Sequence, residues 1–128
     1  MTFTQCDTYK GHFREMKRLS EDQVRYYQID GDVSYPSVTS IISFISREKF
    51  ASWRARVGEE AANKKTKHAT TRGTRLHTVF EHYLNNEDID TLDEMKVPLI
   101  QMMFKSAKSD LDKRITNIYQ QETAMHSH

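Results

Sequence analysis

The chain has 128 residues, 37% of them hydrophobic and 29% charged, with a net charge of +1. That length suits one domain or part of a larger one, and no apolar run is long enough to span a membrane. The single cysteine, Cys6, cannot form an internal disulfide, so a reducing cytoplasm is the expected compartment.

The first 23 residues are weakly patterned, and "MTFTQCDTYK" has no apolar leader core. "HFREMKRLSE" predicts a short helix with Phe13, Met16 and Leu19 on one side. "VRYYQIDGDVSYPSV" predicts a β-hairpin over residues 24–36, because Val24, Tyr26, Tyr27 and Ile29 favour extended backbone and Asp30-Gly31 is a turn signal. Pro36 limits the second strand and holds Tyr35 extended.

A helical region is expected from 37 to 118. "SVTSIISFIS" opens a helix capped by Ser37, and "SREKFASWRARVGEEAANKK" opens a second one capped by Ser46. Phe50, Trp53 and Val57 give that second helix an apolar side at i, i+3 and i+7, where core packing is a better reading of Trp53 than base stacking. The polar stretch "KKTKHATTRG" ends at Gly73, where a stop or bend is expected. Leu76, Val79, Phe80, Tyr83 and Leu84 then recur at i, i+3, i+4, i+7 and i+8, the spacing of a core-facing stripe. "NNEDIDTLDE" reads as a turn and acidic linker, and Pro98 suits the first turn of a last helix reaching about residue 118. Residues 119–128 have no helical period and read as a tail or the start of a strand. Strand signals are otherwise confined to the hairpin.

Charge is unevenly placed. From Arg47 to Arg75 nine Lys/Arg face three Glu, whereas from Glu81 to Pro98 six acids face Lys96 alone. A basic middle suggests an anionic partner, although for the charge alone a solvated helix face is the better reading.

His77 and Glu81 are neighbours on one helix face at i, i+4. Imidazole and carboxylate together can hold a divalent metal. By themselves they fit a hydrogen bond at the edge of a core better, since two ligands do not make a site. Arg72-Gly73-Thr74-Arg75 precedes them. A helix start there would aim free backbone N–H groups and two guanidinium groups at a phosphate.

The segments "YPSVTSII", "WRARVGEEAANK" and "RGTRLHTVFEHYLNNE" together resemble the N-terminal part of PD-(D/E)XK exonucleases. The nearest group is the RecB-like one of bacteriophages, which also includes the mitochondrial genome maintenance exonuclease. The likeness covers about residues 25 to 122 and is most specific in the "RGTRLH…E" block. It implies an α/β restriction-endonuclease-like fold of which this chain carries the mainly α, N-terminal part with one β-hairpin. His77 would be a metal-site residue, Glu81 its neighbour, and Glu122 an acid at the start of the first core strand. Arg54, Arg56, Lys64, Lys65, Lys67, Arg72, Gly73 and Arg75 would contact DNA. In the family, a strand bearing Asp and a strand bearing Glu/Asp-x-Lys follow, and their carboxylates hold Mg²⁺ or Mn²⁺ for phosphodiester hydrolysis.

Those strands are not expected in this chain. Glu15-Met16-Lys17 and Glu94-Met95-Lys96 match the acid-x-Lys pattern but lie in a polar helical pattern and an acidic linker, not in a buried apolar strand. The expectation is a single partial domain, inactive alone, that acts on DNA, self-associates through uncovered apolar faces or docks a C-terminal nuclease half, and works in the cytoplasm of an infected host with no membrane partner. The alternative is a non-catalytic helical module that binds DNA or protein. The "HSH" of His126 and His128 reads as plain tail, and the six methionines as gap fillers or a partner-facing patch.

Overall fold

A computed structural model describes residues 2–8, 16–21, 24–29, 31 and 33–125. In chain order the elements are β1 (Thr4–Gln5), β2 (Lys17–Glu21), β3 (Val24–Ile29), β4 (Val33–Pro36), α1 (Val38–Val57), α2 (Glu59–Leu84), a 3₁₀ turn (Asp93–Lys96), α3 (Pro98–Arg114) and β5 (Asn117–Ile118). The described chain is therefore mainly helical, with three helices and two small sheets. It divides into two compact units, Met1–Lys10 with Lys64–Thr123, and Gly11–Asn63 with Ala124–His128. None of its helices is long and apolar enough to cross a membrane.

The second unit holds a three-stranded antiparallel sheet in the order β2-β3-β4. The expected hairpin is β3 with β4, in a register that pairs Tyr27 with Tyr35, and Gly31 takes the positive φ of 78° that its turn requires. The helix expected over "HFREMKRLSE" is not formed at its described end. Lys17–Glu21 is instead an edge strand whose Leu19 faces Tyr26 across the ladder, because a neighbouring β3 offers backbone partners that outweigh local propensity. Phe13 lies outside the described residues.

Ser37 caps α1 as its sequence implies. Its hydroxyl accepts from the Ser40 amide at 3.1 Å, and its own amide donates to the Arg25 carbonyl at 2.8 Å. Ser40 adds a second tie, its hydroxyl accepting from the Arg25 amide at 3.1 Å. The hydroxyls of "PSVTS" thus fasten the helix start to β3. Ser46 caps nothing, because α1 runs unbroken past it to Val57, with no glycine or proline to interrupt it. The break comes at Gly58, whose φ of 87° and ψ of 150° suit glycine alone. Glu59 and Glu60 then occupy the first turn of α2, where acids favour the helix dipole.

In the first unit the stripe expected on α2 meets a real core. Val79 and Tyr83 are buried with Phe3, Ile100, Phe104 and Ile118, and Leu76, Phe80 and Leu84 pack beside them. Phe3 and Phe104 each meet the Tyr83 ring edge to face, at 5.2 and 5.1 Å between centroids. The Tyr83 hydroxyl donates to Asp112, and Lys108 binds the same carboxylate at 2.6 Å. Pro98 starts α3 as expected, but the helix ends at Arg114. Ile115 is already extended, and Ile118 lies on β5, which pairs in parallel with β1. Strands therefore occur beyond the hairpin. Asn86, at a φ of 63°, accepts from the Phe3 amide at 2.7 Å and donates to the Phe3 carbonyl at 2.8 Å.

A candidate metal pair and a basic helix side

α2 carries most of the residues singled out by sequence, and its continuity rearranges them. No helix starts at Gly73, which lies in the interior of the 26-residue α2. Its backbone N–H groups are therefore committed to the helix, and the phosphate cradle expected between Arg72 and Arg75 does not form. The local cost of a mid-helix glycine, about 1 kcal/mol, is too small to break a helix that packs against a core.

An unbroken helix advances roughly 100° per residue. Lys64, Lys65, His68, Arg72 and Arg75 then share an arc of about 100° on one side, with Lys67 about 60° outside it. All are exposed, and among the described residues Lys64, Lys65, Lys67, Arg72 and Arg75 form no ion pair. Further along the same side, Val79 and Tyr83 enter the core. His77 points about 140° away from Arg72 and about 160° from Arg75. His77 and the phosphate-type residues Arg72 and Arg75, close in sequence, therefore occupy opposite sides of one helix.

Two other expected DNA contacts sit on α1. Arg56 is exposed, whereas Arg54 is already engaged by the Glu59 carboxylate and by Asn63 at 2.6 Å.

His77 does not pair with Glu81. Its Nδ1 lies 3.3 Å from Oε1 of Glu122, 45 residues further on. Glu81 stands exposed one turn along α2 and, among the described residues, forms no ion pair. Glu122 reaches His77 from a bend just after β5, not from a strand, with a left-handed φ of 49°. The preceding residue pins that bend, since Gln121 donates to the side chain of Asn85 at 2.7 Å, at the end of α2. Both partners face solvent, His77 at 77% and Glu122 at 65% side-chain exposure. Imidazole nitrogen and carboxylate oxygen at this separation can bind one divalent cation from two sides, leaving its other positions to water or further ligands. Among the described residues no group of three His, Cys, Asp or Glu comes together.

Neither acid-x-Lys match has its described residues on a buried strand, although Lys17 begins the edge strand β2 and not the helix expected there. Met95 packs against the core from the 3₁₀ turn, and Lys96 pairs with Asp93 within that turn, holding the Asp93 carboxyl below its usual value. Glu15 is outside the described residues, while Lys17 is exposed on β2. His126 and His128 are also outside them. His82 pairs with Glu87 at the end of α2.

The residues that sequence reasoning missed are those that position others. Asn85 and Asn86 read as turn residues and Gln121 as tail or strand start, and only the "NN" after the α2 stripe hints at a left-handed helix end. No family model, curated protein or solved structure matches the chain.

Proposed function

We propose that this chain is the N-terminal part of a RecB-like PD-(D/E)XK DNA exonuclease, contributing a DNA-contacting helix and one corner of a metal site. The observation that carries the reading is the 3.3 Å approach of His77 to Glu122. Those two residues are the ones the family resemblance assigns to the metal site and to the first core strand, and they lie 45 residues apart. A Mg²⁺ or Mn²⁺ ion at such a site polarises the phosphodiester and lowers the pKa of attacking water. His77 and Glu122 would hold one edge of the ion. Lys64, Lys65, Arg72 and Arg75 would bind backbone phosphates from a separate side of α2, so they would set where the DNA lies and not touch the reacting bond.

No described strand carries an Asp or a Glu-x-Lys. The chain alone is therefore expected to bind DNA without cleaving it. The test measures binding of a labelled DNA duplex and single strand at rising salt, with hydrolysis assayed in Mg²⁺ and in Mn²⁺. Binding that weakens with salt and with Arg72→Glu, without hydrolysis, supports the reading. Cleavage abolished by Lys96→Ala would overturn it, because the catalytic lysine would then be in the 3₁₀ turn.

The lack of an Asp or a Glu-x-Lys on any described strand favours a second reading, a non-catalytic helical module that binds DNA or protein. It differs in one measurable respect, since it gives His77 and Glu122 no shared affinity for Mn²⁺.

A further inference from the structure

We propose that the groove between α1 and the β2-β3-β4 sheet docks an acidic amphipathic peptide segment of a partner protein. The groove encloses about 1120 Å³ within the second unit. Arg25, Arg47 and Arg54 line it, and none of its lining residues is acidic. Ile41, Ile42 and Phe44 line it as well, and they are exposed at 48%, 55% and 69%. Apolar side chains so open, gathered beside positive charge, mark an interaction surface. The arginines are held ready on aromatic rings. The Arg47 guanidinium sits 5.2 Å from the centre of the Phe44 ring, and that of Arg54 5.7 Å from the Phe50 ring. Arg54 is partly neutralised by Glu59, whereas among the described residues Arg25 and Arg47 form no ion pair.

The chemistry selects among occupants. A nucleic acid strand gains from stacking on rings, but the Phe44 and Phe50 rings already carry the Arg47 and Arg54 guanidinium groups, and branched Ile41 and Ile42 give a base no flat face. A second copy using the same face would bring arginines against arginines. A helical segment with Leu or Phe at i, i+3 and i+4 and Asp or Glu between them satisfies both halves of the groove.

The test uses the full chain and three fluorescent probes. They are a helical peptide of about 16 residues with Leu at those spacings and Glu between, the same peptide with Lys for Glu, and an oligothymidylate of similar length. The Glu peptide should bind and the Lys peptide should not. Arg47→Glu and Ile42→Asp should each weaken the Glu peptide about tenfold, and Lys113→Glu on α3 should leave it unchanged. Arg47→Glu should also gain affinity for the Lys peptide, a reversal that a misfolded variant cannot show. Equal binding of both peptides overturns the proposal. So does oligothymidylate binding lost on Ile42→Asp, or a dimer, seen by light scattering, that Ile42→Asp dissociates.

Discussion

Nδ1 of His77 meets Oε1 of Glu122 at 3.3 Å, although Glu81 is the nearer carboxylate along the helix. This contact makes an asymmetric prediction. Titrating Mn²⁺ should broaden the His77 ring resonances, and Glu122→Gln should weaken that response about tenfold by removing a ligand. Glu81→Gln should leave it as it was. The opposite ranking would return the site to the helix pair.

DNA binding should follow the side of α2 that carries Lys64, Lys65, Arg72 and Arg75. Each cation that neutralises a phosphate adds about one to the slope of log affinity against log salt. Arg72→Ala or Lys64→Ala should therefore lower the slope by about one, measured by anisotropy across a salt series. His77→Ala, on the opposite side, should leave the slope unaltered.

Gly58 and Gly73, both within the basic stretch, should answer alanine in opposite directions. Gly58 has a φ of 87° and a ψ of 150°, so Gly58→Ala should destabilise by about 1–3 kcal/mol even though nothing lies within 4 Å of a new Cβ. Gly73 is helical and also has open space around it, so Gly73→Ala should stabilise by about 0.5–1 kcal/mol. Urea melts of both variants settle the pair.

Tyr83, Lys108 and Asp112 predict how stability depends on pH. The Lys108 ammonium and the Tyr83 hydroxyl hold the Asp112 carboxyl below its usual 3.8. Its contribution is complete above that value and is lost as pH falls through the depressed one. Burial and the Asp112 hydrogen bond raise Tyr83 above 10.0, and the bond to Asp112 raises Lys108 above 10.5. Their contributions are complete below those values and are lost as pH rises through the elevated ones. The difference in Tm between the protein and Asp112→Asn should be flat from about pH 5 to about pH 9 and close at both ends.

The core of the first unit was legible because Leu76, Val79, Phe80, Tyr83 and Leu84 repeat with the helical period, and burial follows period. The Ser37 cap and the hairpin were legible from local chemistry for the same reason. The helix break was misplaced because glycine marks two different things. At Gly73 it is a tolerated gap in a long helix. At Gly58 it is a true stop, signalled by the acids that follow it in "GEE". β2 was hidden because "KRLSE" has no apolar alternation, and its strand state comes from β3 beside it. The partner of His77 was beyond any local pattern, since a bend held by Gln121 and Asn85 delivers it.

Phe3 is 2% exposed in a core whose other members come from residues 79 to 118, and its backbone is gripped by Asn86. Thr4 and Gln5 pair with Asn117 and Ile118. The β1–β5 ladder and the burial of Phe3 thus join the two sequence ends of this unit, so they close its longest loop and carry its largest closure entropy.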